Sequence, residues 1–356
     1  MRKIFDMFLS LLLIVGVLGC AYVLMNGTWH DEEPSVGSQG SSIEESIDNS
    51  NEESGEEDSS SEPVIEPVTT IKGLNIPENE SELIAEGLQM QVGAQLALTD
   101  ERAMRFTCDI STGLYNKVKA DSNKSFGMLV IAQTYFDRVN TENYTYVDWI
   151  TEFEKAGVTT YNYYKYETDT LPSNGNGYYM RYKLYDIPFM GINHPIVCIG
   201  VVATEVEGGT TYQYAAMPSG ETYQSNARSI AYVASAALNA NALGMESFSE
   251  DELVLIKSYV NESVDRANGL TSPTDDDSTF AFTTSVTTTQ NLSVGQSITI
   301  TTTISPEVKV PVWYTSSNES VVQVDENGKV TAKGKGTAVI GVYVAGEPYS
   351  ITIKVS

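Results

Sequence analysis

His194 and Cys198 are the first residues to weigh as chemistry, because a histidine within hydrogen-bond reach of a thiol makes a base and a nucleophile. The chain holds two histidines and three cysteines, so few such pairs exist. Ile196–Val206 reads as a strand. Residues four apart on an extended backbone share a face but stand about 13 Å from one another, which rules the pair out as a dyad. Cys108, on a strand read over Ala103–Ile110, is the thiol that a neighbouring strand would bring opposite His194. Outside a cell Cys108 and Cys198 would be able to form a disulfide, and two buried free thiols fit the sequence equally well. The other economical chemistry is a pair of carboxylates about 5–10 Å apart, as glycoside hydrolysis needs. Glu205 and Glu207 share a strand face beside Gly208-Gly209, although a solvated strand end before a turn accounts for them as well. No catalytic, cofactor-binding or metal residue is assigned, and no cofactor is expected.

Tyrosine is the other conspicuous residue type. Seventeen of the 21 tyrosines lie between positions 115 and 259. Tyr161, Tyr163, Tyr164 and Tyr166 fall on one expected strand (Thr159–Tyr166), and Tyr178, Tyr179, Tyr182 and Tyr185 on the next (Tyr178–Tyr185). Alternation puts Tyr161 and Tyr163 on one face and Tyr164 and Tyr166 on the other. One face belongs to the core. The other half would form an exposed aromatic patch, so Tyr161, Tyr163, Tyr164, Tyr166, Tyr178, Tyr179 and Tyr182 are the residues from which a candidate ligand surface for a glycan or a protein is drawn, set against ordinary strand packing, which favours tyrosine anyway.

The elements that would position these residues make a mixed domain over 71–270. Strands are expected at Val92–Leu98, Ala103–Ile110, Phe126–Gln133 and Thr210–Met217, besides those already named. Helices are expected at Ser111–Ala120, Tyr146–Ala156 and Ser225–Leu243, the last with Ile230, Val233, Ala234, Ala237 and Leu238 on one face. Ser249 and Glu252 form a capping box that opens a final helix to Asn268. The fold class is multidomain: an α+β middle domain with a mostly antiparallel sheet, followed by an all-β domain.

Charge bounds the partners. The net charge is −26, from 21 basic and 47 acidic residues, and no basic cluster appears, so nucleic acid is excluded as a main partner. Thirteen of the acids lie in residues 31–70, which contain no Lys or Arg. That stretch is Ser-, Glu- and Pro-rich and reads as a disordered acidic tether. Before it, Arg2 and Lys3 precede nineteen uncharged residues, Met7–Met25, close to the ~20 that cross a bilayer. Basic residues before the span and acids after it put the bulk of the chain outside the cell membrane. Residues 1–30 are thus a membrane anchor, as an uncleaved signal anchor or as a lipoprotein signal with Cys20 carrying the lipid; a cleaved signal peptide is the third reading. The last strand runs to Ser356 without a sorting motif, so attachment is expected at the N-terminal side.

After a linker at 271–277 the composition turns to Thr, Val, Ser and Ile. Ser297–Ile304 alternates, placing Ile298, Ile300 and Ile304 on one strand face. Asn327-Gly328 marks a hairpin, and short strands at this spacing argue a sandwich over 278–356. Leu292-Ser293-Val294-Gly295-Gln296, Ser305-Pro306, Val312–Asn318, Val324–Ala332 and Lys335–Ile340 stand in an order that resembles the bacterial Ig-like domains of group two, found in intimin-like adhesins and other surface proteins. The resemblance implies a spacer or adhesive module rather than an enzyme. The domain is expected to fold on its own, with Trp313 read as a core tryptophan rather than a ligand contact. Asp325-Glu326-Asn327-Gly328 is read as a turn and not as a calcium site.

The middle region resembles uncharacterised secreted modules of Firmicutes that recur beside Ig-like repeats. The blocks concerned are Val92–Leu96, Met104-Arg105-Phe106, Phe126–Leu129 and Arg228–Ala234. That resemblance implies placement and no activity; Arg105 and Arg228 are read first as ion-paired structural residues. The whole reads as a non-enzymatic cell-surface protein for adhesion or glycan or protein binding. The alternative is a surface-anchored glycan hydrolase with paired carboxylates in 71–270.

Overall fold

The computed structural model describes residues 82–99, 102–140, 147–274 and 280–356. The expected anchor, Cys20 and the acidic tether lie outside the described residues. Among the described residues no helix is long and apolar enough to cross a membrane.

The α+β domain is built on one sheet of eight strands among these residues: β1 Ile84–Met90, β2 Gln95–Leu96, β3 Met104–Ser111, β4 Lys124–Ala132, β5 Asn162–Tyr166, β6 Gly177–Leu184, β7 Ile196–Val206 and β8 Gly209–Ala216. β1 and β2 share one edge of β3, and β6 takes the other. The order then runs β1-β8-β7-β4-β5. Every pairing is antiparallel except β1 with β8. β3 alternates buried and half-buried residues, as a strand with one core face must. β4 and β7 are buried on both faces, so they read as unbroken apolar runs.

The sheet curls until its edges meet. Cys108 of β3 lies against Gly200 of β7 although β1 and β8 stand between them in the sheet, and the Gly200 N–H points at Met90 Sδ at 3.2 Å. At the far edges Tyr166 Oη of β5 donates to the Arg181 carbonyl of β6 at 2.8 Å. Among the described residues no backbone ladder joins β5 to β6, so tyrosine side chains close this seam. The enclosed face carries Met90, Phe106, Cys108, Phe126, Met128, Met180 and Cys198, all buried.

Helices cover the rest. α1 Thr112–Lys119 starts at Ser111, whose hydroxyl accepts from the Leu114 N–H. α2 Gln133–Val139 and α3 Trp149–Lys155 bring in Phe136, Trp149 and Phe153, which cluster with Tyr223. Tyr214 of β8 fixes α3: its hydroxyl accepts from the Ile150 N–H at 3.0 Å and donates to Asp148 at 2.8 Å. α4 Ile230–Ala242 and α5 Glu250–Ala267 pack on each other, and the expected Ser249–Glu252 capping box is present. Tyr259 of α5 accepts from the Arg102 N–H at 2.9 Å.

Several expectations need correction. α4 starts at Ile230 rather than at Ser225, because the Arg228 backbone is spent on an antiparallel bridge to Ile196. The middle helix begins at Trp149 rather than at Tyr146. β1 and α2 were not expected at all. β1 carries Gly87 at φ +91° and a register shift against β8, which break the alternation that marks a strand. α2 is seven residues long, too short to show a helical period.

The C-terminal domain is an all-β sandwich. Its strands are β9 Ala281–Thr284, β10 Gln290–Leu292, β11 Ser297–Thr299, β12 Thr302–Ser305, β13 Val312–Ser316, β14 Val322–Val324, β15 Lys329–Ala332, β16 Gly336–Val344 and β17 Glu347–Val355. They form the sheets β10-β17-β16-β13 and β11-β15-β14 with the pair β12-β9. Val322, Val330, Ala338, Ile340, Val342, Ile351 and Ile353 fill the core. The Ser297–Ile304 run is two strands, not one. β11 pairs β15 and β12 pairs β9, with fully buried Ile300 at the crossing.

Candidate functional site

Cys108 and Cys198 are free thiols deep in the enclosed face of the curled sheet. Burial pushes both upward, and for Cys108 the neighbouring Cys198 and Asp109 add to the rise. Neither is a thiolate at neutral pH, so neither is a nucleophile. His194 does not complete a dyad with either one. It was expected on the strand, but it sits exposed in the turn before β7, and the neighbours of β3 are β1, β2 and β6.

Glu205 and Glu207 do not share a strand face as expected. Glu205 is the penultimate residue of β7, its side chain 67% exposed and 3.8 Å from Lys165, and Glu207 occupies the turn that follows. Among the described residues, no group of three or more His, Cys, Asp or Glu is arranged to hold a metal. Asp325 Oδ1 accepts from the Asn327 and Lys329 N–H groups at 3.0 and 2.8 Å, which makes it the brace of a hairpin in which Gly328 has φ +74°.

The seven candidate tyrosines separate by strand register. Tyr164 stands opposite Met128 and Tyr166 opposite Phe126, while Tyr182 stands opposite Phe106, so all three share the enclosed face. They meet at the seam. The Tyr164 ring lies 4.8 Å from that of Tyr166 and 6.1 Å from that of Tyr182. Burial drives the Tyr166 hydroxyl far up, and it raises that of Tyr182 as well. Tyr178 is further along β6, stacked on Tyr115 with ring centroids 3.5 Å apart.

The remaining three point the other way. Tyr163 stands opposite Leu129 beside Tyr212, and burial pushes its hydroxyl up to about 12. Tyr161, just before β5, packs its ring 5.8 Å from Phe153 and its hydroxyl donates to Glu154. Tyr179 lies under the Arg181 guanidinium at 5.0 Å. The structure therefore gathers Tyr164, Tyr166 and Tyr182 and leaves Tyr161, Tyr163, Tyr178 and Tyr179 apart from them. Tyr164 at 43% and Tyr185, just beyond β6, at 61% are the tyrosines most open to solvent among the described residues.

Three of the four blocks that carry the resemblance in the middle region meet: Gln95 and Leu96 pair with Arg105 and Met104, and a Cβ at Gly93 would stand 3.8 Å from Arg228 Nε. The Gly93 N–H donates to Asn226 Oδ1 at 2.5 Å, and Asn226 Nδ2 donates to the Gln91 carbonyl at 3.1 Å. Gln91 Nε2 in turn donates to both carboxylate oxygens of Asp109. Arg228 was expected to be ion-paired. Its Nη1 donates instead to the Ser225 and Ala227 carbonyls at 2.7 and 2.9 Å, and its guanidinium lies over the Tyr232 ring. Arg105 stands in register between Gln95 and Lys183. Asn226 was missed from sequence: nothing local marks an asparagine whose partners are Gly93 and Gln91.

Residues 310–346 match the family model described as the intimin immunoglobulin-like domain. The C-terminal domain is of the bacterial Ig-like type. Among solved structures, an intimin mutant from EHEC O157:H7 is 21% identical, over 21% of this chain and 45% of that one, with a TM-score of 0.18. A C-terminal intimin fragment in complex with the translocated intimin receptor is 12% identical, over 76% of this chain and 63% of that one, at 0.20. Domains 4 and 5 of the S-layer protein SbsC are 11% identical, over 44% of this chain and 64% of that one, at 0.19. The chain thus spans between 45% and 64% of the length of these three. No curated protein matches the chain.

Within the Ig-like domain Trp313 is not in the core as expected. β13 turns Val312 and Tyr314 inward against the core, and period-two alternation turns Trp313 outward, opposite Tyr343 of β16. Trp313 is half-buried on that outer face.

Proposed function

We propose that this chain is a non-enzymatic, outward-facing surface protein of adhesin type, held to the membrane by residues 1–30 and displayed on the acidic tether of residues 31–70. The observation that carries this reading is the match of residues 310–346 to the intimin immunoglobulin-like domain. The distribution of reactive groups agrees with it: both described thiols are buried, and Glu205 and Glu207 are solvated at a turn. The partner is a surface protein or a glycan. The exposed Tyr164 in β5 and Tyr185 just beyond β6 are the aromatic contacts offered to it.

The test uses cells that carry the full chain. Protease added outside should remove the folded domains, and a Cys20→Ala change distinguishes lipid attachment from a spanning anchor. Adhesion of those cells to glycan- or protein-coated surfaces should fall about thirtyfold when Tyr164 and Tyr185 are both changed to Ala, if each ring contributes ~1 kcal/mol. Full protection from external protease would refute surface display. Turnover of a glycan, abolished by one Asp or Glu substitution, would refute the non-enzymatic reading.

A further inference from the structure

An asparagine with no solvent exposure in the middle of an Ala-rich helix needs a reason, since asparagine is a poor helix former and a buried amide without partners is costly. Asn239 of α4 is such a residue. Both ends of its amide reach into the Ig-like domain. Nδ2 donates to the Pro311 carbonyl at 3.1 Å, and Oδ1 accepts from the Gly346 N–H at 2.7 Å. Gly346 belongs to the turn between β16 and β17, where Ala345 and Gly346 both adopt positive φ, +48° and +83°. A side chain at position 346 would press on Leu238 Cβ at 3.1 Å, so glycine is what lets the turn approach the helix this closely.

The surrounding contacts are of the same kind. Ala345 is buried within the core of the α+β domain rather than that of its own sandwich. Val260 and Val264 of α5 face Phe280, Ile304, Val308 and Val310 and leave no room for a water molecule between them. At the margin Lys309 acts on Asp137 of α2: burial raises the Asp137 carboxyl, while its bond from Gln224 and the charge of Lys309 pull it back down.

We infer that the α4–α5 face is a docking surface made for the β16–β17 turn of this Ig-like domain, and that the two domains move and unfold as one block with Asn239 as its latch. The C-terminal domain then braces the α+β domain and is not a freely swivelling spacer. An Ig-like domain fits this face when its last hairpin turn carries a glycine and its neighbouring strand exposes a carbonyl at the position of Pro311.

The experiment introduces a protease site between positions 275 and 277 of the full chain and cuts it under native conditions. The two pieces should co-elute at micromolar concentration on size exclusion. Asn239→Ala leaves the Gly346 N–H and the Pro311 carbonyl unpaired, and it should weaken the association about ten- to hundredfold. Lys309→Glu changes an exposed residue and leaves either core untouched; it should weaken association severalfold, more at low salt than at high. If Asn239→Ala does not fold, Lys309→Glu decides. Wild-type pieces that separate on cleavage, or folded variants that stay together as tightly as wild type, would overturn the inference.

Discussion

The two domains solve the same problem, burying one face of a sheet, by opposite means. In the Ig-like domain the buried core is Val, Ile, Ala and Leu292 without an aromatic ring at its centre, and its longest ladder is a hairpin between adjacent strands, β16 with β17. In the α+β domain the enclosed face is lined by methionines, thiols and aromatic rings, and distant segments hold it: β1 beside β8, Gly93 on Asn226, Arg102 on Tyr259. Both also use distant pairings, such as β10 with β17 in the first, but the longest ladder of the first joins sequence neighbours, whereas that of the second joins β4 to β7.

Two mid-strand glycines test that difference most strongly. A Cβ at Gly200 would collide with the Cys108 Sγ and stand 3.2 Å from the Ala215 Cβ, inside a closed layer with nothing free to swing away. A Cβ at Gly341 meets Thr315 Oγ1 at 2.6 Å and Tyr343 Cε2 at 3.0 Å, both on side chains of the outer sheet face. Gly200→Val should cost about 3 kcal/mol or more by overpacking, and Gly341→Val about 1 kcal/mol, because its neighbours can change rotamer. Urea unfolding of the full chain measures both. Equal losses would erase the contrast.

The same contrast sets what could be read from sequence. The Ig-like blocks were legible because each carries its own turn: Asn327-Gly328 with Asp325 beneath it contains the whole reason for the β14–β15 hairpin. The capping box at Ser249 and Glu252 was legible for the same reason. What stayed hidden depends on distant partners. Arg228 leaves α4 only because Ile196 claims its backbone, and Gly87 bulges β1 against Ser111. The tyrosine alternation on β5 could be read, but the meeting of β5 with β6 could not. No residue of either strand announces that the sheet will curl far enough for Tyr166 to reach the Arg181 carbonyl.

That seam supplies the next test. Tyr166→Phe keeps the ring and removes the one donor that ties β5 to the Arg181 carbonyl. The expected loss is about 1 kcal/mol, the worth of a neutral hydrogen bond. Amide hydrogen exchange should show it as faster opening confined to β5 and β6, with β16 and β17 unchanged. Equal acceleration in both domains would mean that the seam is not a separate weak point of the curled sheet.

The smallest expected effect belongs to Trp313. A tryptophan in the centre of a core costs about 3–5 kcal/mol when cut to alanine. Trp313 faces Tyr343 across β13 and β16 on the outer side of the sheet and stays half-buried. Its removal therefore forfeits one cross-strand aromatic pair, about 0.2–1 kcal/mol. Trp149 provides the internal standard, since it is fully buried between Phe136 and Phe153. Trp313→Ala should remove a red-shifted component of the tryptophan emission and barely move the urea midpoint, whereas Trp149→Ala should remove a blue-shifted component and lower the midpoint strongly. A loss of about 3 kcal/mol at Trp313 would return that ring to the core and overturn the strand register that turns it outward.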